Sequence, residues 1–140
     1  MVKYQMDRIT SAERSAQMSL VKSKDTGPEL VVRKLAHSLG YRYRLHGAGL
    51  PGKPDLVFSK RKKIVFVHGC FWHRHVACRR ATTPATNLEY WLPKFERTVE
   101  RDLRNIERLA ELGWSSLVLW ECELKNTGAL AEKLMAFLDS

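Results

Sequence analysis

The residues best suited to chemistry crowd into one stretch of this chain. Three of its five histidines and two of its three cysteines fall between positions 68 and 78. Cys70, His75 and Cys78 put three soft ligands in one segment, and Cys122, far along the chain, could close a tetrahedral site. Three cysteines and one histidine make a standard structural zinc set. His73 competes for the histidine place, and the alternative is three unrelated, partly buried thiols. A second group is Asp55 with His68 and His73. A carboxylate at a strand end binds Mg2+ through oxygen, and a nearby histidine can take a proton from attacking water or give one to a leaving oxygen. On a basic protein this pairing points to metal-assisted phosphodiester hydrolysis. Against it, aspartate after proline is common in turns, and a histidine at a strand end is often structural. Asp102 could orient one of the histidines or be a solvated helix charge.

Phe71, Trp72 and His73 are three consecutive flat rings, which cannot all point into one core. Presented outward by a metal-held loop they would form a wedge able to enter a base stack; otherwise one or two of them cover the metal. Lys60, Arg61, Lys62 and Lys63, Arg79 and Arg80, and Arg42 with Arg44 could supply phosphate contacts or be ordinary solvated charge.

The bulk numbers agree with a polyanionic partner. The net charge is +9 over 140 residues, which favours nucleic acid over a membrane surface because the basic residues are scattered rather than set on one amphipathic helix. No apolar run approaches the ~20 residues that cross a bilayer. The first residues carry no apolar signal segment, so the cysteines read as metal ligands rather than a disulfide framework.

These side chains need elements to hold them. Leu56-Val57-Phe58 after Pro54-Asp55, and Ile64 to His68 after a basic turn at 59–63, are short, rich in β-branched and aromatic residues, and read as a hairpin of buried strands. Strand ends hold side chains rigidly. Upstream, Thr10 and Glu13 fit a capping box for a polar helix over roughly 11–22 containing Met18. Thr26-Gly27-Pro28-Glu29 starts a second helix, with Leu30, Val31, Leu35, Ala36 and Leu39 as its apolar stripe and Gly40 as its end. The dipole alone accounts for Glu29 in the first turn. Tyr41 to His46 alternates as a half-buried strand, and 47–53 is a loop. Residues 69–86 form a long irregular excursion, of a length that a metal could hold together. Thr86 and Glu89 fit another capping box, and Leu92, Phe95, Val99, Leu103, Ile106 and Leu109 give an amphipathic helix ending at Gly113, with Pro93 in the first turn of its main part. Residues 116–120 are a buried strand, and Asn126 or Thr127 caps a last helix. The predicted order is helix, three strands, helix, strand, helix: an α/β fold whose mixed sheet contains a parallel crossover and is flanked by helices. The chain is expected to be one domain over 1–140, with an N-terminal arm over 1–25 and a core over 26–140.

The strings Leu50-Pro51-Gly52-Lys53-Pro54-Asp55, His68-Gly69-Cys70-Phe71-Trp72-His73, Pro84-Ala85-Thr86, Glu89-Tyr90-Trp91, Val99-Glu100-Arg101-Asp102, Leu112-Gly113-Trp114 and Trp120-Glu121-Cys122 resemble the very short patch repair DNA mismatch endonucleases, from about residue 10 to about 123. The resemblance implies a restriction-endonuclease-like core and an enzyme that nicks 5′ to the thymine of a T:G mismatch left by deamination of 5-methylcytosine. It implies Asp55 as Mg2+ ligand with the backbone carbonyl of Val67, His68 as catalytic histidine, His73 and Glu29 in support, and Asp102 assisting a histidine. It further implies Cys70, His75, Cys78 and Cys122 as structural zinc ligands, Phe71, Trp72 and His73 as a wedge beside the mismatch, and Met18 on the minor-groove side. It departs from the family in one extra residue between His75 and Cys78, and in Val67 where threonine is common. Implied partners are double-stranded mismatched DNA, mismatch-repair proteins and a functional link to a cytosine-5 methyltransferase, in a bacterial cytoplasm near the nucleoid. The remaining alternatives are a nickase of this fold acting on another mismatch, a modified base or a branched junction, and a zinc-stabilised DNA-binding module without catalysis.

Overall fold

A computed structural model of the protein describes residues 26–140. The expected arm, its helix and Met18 lie outside the described residues.

The expected hairpin is the centre of the sheet. Strands β2 (Leu56–Phe58) and β3 (Lys63–His68) pair antiparallel, with Leu56 opposite Val65 and Phe58 opposite Lys63. The turn between them is a single 3₁₀ turn, Ser59–Arg61, closed by Lys62 in the left-handed region at φ 56°. Strand β1 (Arg44–Leu45) adds to β2 antiparallel, and β4 (Ser115–Trp120) adds to β3 in parallel, from Lys63 opposite Ser115 to His68 opposite Trp120. The sheet order is β1-β2-β3-β4. The parallel pair requires a crossover, and helix α2 (Leu88–Glu111) makes it.

Side chains alternate between the two faces, as strand geometry requires. Leu56, Phe58, Val65 and Leu119 face one side, where Val32 and Ala36 of α1 (Gly27–Ser38) and Leu130, Leu134 and Leu138 of α3 (Thr127–Leu138) close the core. Val57, Ile64 and Phe66 face the other side and meet Leu109 of α2. His68 follows Phe66 on that second face, so the strand itself aims the histidine at α2.

Thr26 caps α1 by accepting from the Glu29 N–H, and Asn126 caps α3 by accepting from the Ala129 N–H, both as expected. Three expectations need correction. The buried face of α1 is Glu29, Val32 and Ala36, while Leu30 and Val31 are exposed. The inward face of α2 is Trp91, Phe95 and Leu109, with Leu92 and Leu103 at the surface. The rest of both stripes packs inward as read, with Leu35, Ala36 and Leu39 on the α1 side and Phe95, Ile106 and Leu109 on the α2 side. The cap of α2 also differs: Asn87 stands at φ 56° with no side-chain cap bond, and the helix runs straight through Pro93.

Candidate active site and metal centre

A cleft of about 930 Å³ opens where the β2–β3 hairpin meets α1 and α2, and its lining includes Glu29, His46, Asp55, Val67, His68, His73 and Asp102. Five of these side chains were singled out from sequence as one catalytic group; His46 was not.

At one end stand two carboxylates and an imidazole. Asp55 leaves the Pro54 turn just ahead of β2 and accepts from the Val67 N–H at 2.6 Å. Glu29 reaches it from the first turn of α1 and is 3% exposed. Ligand atoms of Glu29, His46 and Asp55 lie within 4.8 Å of one another, a group that could hold a metal ion. Burial pushes the Asp55 carboxyl up to about 7, and the neighbouring Glu29 adds to that against the Val67 bond and the Arg33 charge. Two desolvated acids side by side favour a bound cation. The Arg33 guanidinium reaches Glu29 Oε2 at 3.2 Å and His46 Nε2 at 3.3 Å.

At the other end the His68 and His73 rings stack face to face, with centroids 3.8 Å apart and planes 6° apart. His73 Nδ1 lies 2.6 Å from Asp102 Oδ2. Asp102 can reach it because it belongs to the inward face of α2; sequence reasoning had put the neighbouring Leu103 there. Burial, then the adjacent His73, drives the His68 imidazole down to about 3 against the pull of Asp102. His68 is therefore neutral at pH 7, and its Nδ1 is buried with no hydrogen-bond partner among the described residues. A neutral imidazole beside a second one fixed by a carboxylate can accept and pass protons.

Behind this, the excursion from Gly69 to Asn87 forms neither helix nor strand. It brings Cys70, His75 and Cys78 to Cys122, one ligand atom from each within 4.8 Å of the others, a second group that could hold a metal. His75 Nδ1 is 3.7 Å from Cys70 Sγ and 3.4 Å from Cys122 Sγ. The rival histidine, His73, is turned away to Asp102. Between His75 and Cys78, Ala77 stands in the left-handed region at φ 56°. Burial pushes the Cys70 thiol up to about 12, whereas Cys78 is lowered by the backbone N–H of Arg80.

The three consecutive rings point three ways. Phe71 is 2% exposed and packs edge-on against Trp91 and Phe95. This corrects the outward wedge: backbone bonds from His73 to Gly69 and from His75 to Cys70 curl the loop and turn Phe71 onto α2. Trp72 is half-buried at the margin of that cluster. His73 goes to the cleft.

The basic turn also differs from expectation. Lys63 is buried and donates to the carbonyls of Phe137, Leu138 and Ser140, and Arg61 donates to Leu138 O. These two cations hold the C-terminal end of α3, where its dipole is negative, which leaves Lys60 and Lys62 exposed. Arg79 is exposed, and Arg80 lies 3.9 Å from Glu121. Two cations line the cleft that sequence reasoning passed over, Lys53 and Arg101. It also missed Arg74, which donates to the carbonyls of Phe71, Ala81 and Thr82 and so ties the excursion to itself.

Comparison with known proteins gives a consistent picture. The family profile described as DNA mismatch endonuclease Vsr matches residues 6–80. The Type II nicking enzyme V.XorIIP of Xanthomonas oryzae pv. oryzae is 49% identical over 133 residues, 95% of this chain and 97% of the relative. The DNA mismatch endonuclease Vsr of Escherichia coli is 41% identical over 124 residues, 89% of this chain and 79% of the relative. The Type II nicking enzyme V.NmeAIP of Neisseria meningitidis is 43% identical over 128 residues, 91% of each.

Proposed function

This chain belongs to the DNA mismatch endonuclease Vsr family and is a DNA endonuclease, and we propose that it nicks one strand 5′ to the thymine of a T:G mismatch, starting very short patch repair. The observation that carries this reading is the single cleft in which the Asp55–Glu29 acid pair and the His68–His73–Asp102 group face each other, with Lys53 and Arg101 on its wall. The core would be restriction-endonuclease-like, with residues 1–140 acting as one domain. The enzyme would work in the bacterial cytoplasm at the chromosome, alongside mismatch-repair proteins and a cytosine-5 methyltransferase that creates the lesion's precursor.

Asp55, Glu29 and the Val67 carbonyl would hold Mg2+. Bound there, the ion would supply Lewis-acid stabilisation of charge developing on the phosphate. The rest falls to the chain's own side chains. Lys53 and Arg101 would seat the phosphodiester. His68, neutral at pH 7, would take the proton of the attacking water at Nε2, since Nδ1 is buried. His73, its Nδ1 fixed by Asp102, would present Nε2 to the same proton path.

Cys70, His75, Cys78 and Cys122 would hold a structural zinc. Zn–S of about 2.3 Å and Zn–N of about 2.0 Å give a tetrahedral S···N edge of about 3.5 Å, and the two S···N distances of 3.7 and 3.4 Å support that assignment. This centre would anchor Trp72, which would press beside the mismatch with Phe71 as its support and Met18 opposite.

The test is incubation with Mg2+ and a labelled T:G duplex. A single nick 5′ to the thymine is expected, and none in the matched duplex. Cutting of other mispairs or branched DNA in preference, or DNA retained without a nick, would overturn the reading.

A further inference from the structure

We propose that His46 is a nitrogen ligand, beside Asp55 and Glu29, of the divalent ion at the acidic end of the cleft, and that this site therefore takes first-row transition ions more readily than an all-oxygen site would. The proposal rests on the reading that Asp55 holds the catalytic ion, and adds a residue and a selectivity to it.

The backbone builds His46 into the site. Its N–H donates to the Asp55 carbonyl at 3.2 Å, and its φ is 53°, left-handed for a residue with a Cβ. The next residue locks this arrangement. A Cβ on Gly47 would come within 2.6 Å of Pro54 Cδ, so the 46–47 turn and the 54–55 turn lie in direct contact. The ring is thus held beside Asp55 from both directions along the chain, and its nitrogen joins the two carboxylates within 4.8 Å.

A neighbour marks the ligating atom. Arginine only donates, so in the 3.3 Å contact from Arg33 Nη2 the acceptor is His46 Nε2. An imidazole nitrogen that accepts is the atom that ligates metals. Arg33 Nη2 also contacts Glu29 Oε2 at 3.2 Å. One cationic nitrogen therefore already lies against two of the three residues, in the corner where an ion's charge would act. An arriving ion displaces the guanidinium from Nε2, and Arg33 stays on Glu29 as an outer partner. Oxygen-only sites suit Mg2+, whereas imidazole suits the later first-row ions, so one nitrogen moves the preference toward the transition series.

Mn2+ is the probe, because its unpaired electrons report directly bound ¹⁴N in spin-echo modulation without any turnover. The full-length protein loaded with one Mn2+ should show a directly coupled ¹⁴N. His46→Gln should abolish that coupling and weaken Mn2+ by ~10-fold or more, the least that loss of even an outer partner typically costs. Mg2+ affinity should fall less, because the glutamine carbonyl is an oxygen ligand. His46→Asn, which tolerates the left-handed backbone, should behave the same way, and His68→Gln should keep the coupling. A wild-type echo without ¹⁴N, or coupling that survives in both His46 variants or vanishes in His68→Gln, overturns the ligand assignment. Asp55→Asn separates the two readings. If it loses the ion while His46→Gln changes nothing, only His46 is wrong; if it binds Mn2+ as wild type does, the Asp55 reading itself fails.

Discussion

The cleft holds two titratable groups whose surroundings drive them in opposite directions. Asp55 is raised to about 7 by burial and by Glu29, and His68 is lowered to about 3 by burial and by His73. Both shifts come from taking a group out of water, and desolvation disfavours whichever form is charged. The result is a histidine that is neutral at pH 7 and a carboxylate whose charge a nearby cation would favour. His73 differs from His68 because its ring has a partner: the 2.6 Å contact to Asp102 sets which nitrogen carries the proton. Asp102→Asn keeps the shape and removes the charge, so the ring can turn or change tautomer. Nicking of a T:G duplex should slow by ~10² or more, with mismatch binding retained and the imidazole ¹⁵N shifts of His73 moved toward the other tautomer. An Asp102→Asn enzyme that nicks at the wild-type rate would make Asp102 a surface charge and nothing more.

At the scale of elements, the site depends on how closely two turns approach. Gly47 is buried against Pro54 and Val57, and a methyl group there would meet Pro54 Cδ at 2.6 Å. Gly47→Ala must therefore push the Pro54–Asp55 turn away from the 46–47 turn. Rigid overpacking of this kind costs typically ~1–3 kcal/mol, and here the displaced segment carries Asp55, the proposed metal ligand. Nicking should fall more steeply than stability, with the Mg2+ requirement shifted to higher concentration; an unchanged Mg2+ titration would show that the turn moves without Asp55. The glycine's reason was not legible in the sequence, where 47–53 reads as an ordinary loop. The hairpin, the crossover and the cap at Thr26 were legible because short apolar runs and capping residues act locally. The stripes of α1 and α2 were legible at Leu35, Ala36, Leu39, Phe95, Ile106 and Leu109, and the slip was to add Leu30, Val31, Leu92 and Leu103, exposed residues that flank the faces the sheet covers. That slip hid Asp102's direction. His46 and Arg33 went unread for the same reason: a lone histidine and a helix arginine gain meaning only when α1 packs beside the Asp55 turn. The basic turn was read as a phosphate contact because charge alone does not say that the end of α3 would come to rest on Lys63 and Arg61.

For the whole molecule, the ionised Asp55 carboxylate is a cost to folding that the proposed cation would offset. Asp55 holds its proton more tightly folded, at about 7, than its ordinary 3.8. A raised folded value favours folding below 3.8 and loses that advantage as pH rises through 7. His68 runs the other way: with a folded value near 3 against an ordinary 6.5, its advantage is full above 6.5 and is lost as pH falls toward 3. The two trends oppose each other between about pH 4 and 6.5, so the protein without added divalent ion should show a shallow stability profile there. Removing one of them exposes the other. Asp55→Asn should melt several degrees above wild type at pH 8, where the wild-type carboxylate is forced to ionise, given that ~1 kcal/mol moves Tm by roughly 3–4 °C at this size. The gain should shrink steadily toward pH 4, where the wild-type carboxyl is neutral in the folded state. Added Mg2+ should raise the wild-type Tm at pH 8 by binding the folded form, and leave Asp55→Asn unmoved. Thermal melts across pH, with and without Mg2+, decide it: a variant no more stable than wild type at pH 8 would mean that Asp55 is already balanced by Arg33 and that the cleft stores no free energy for its ion.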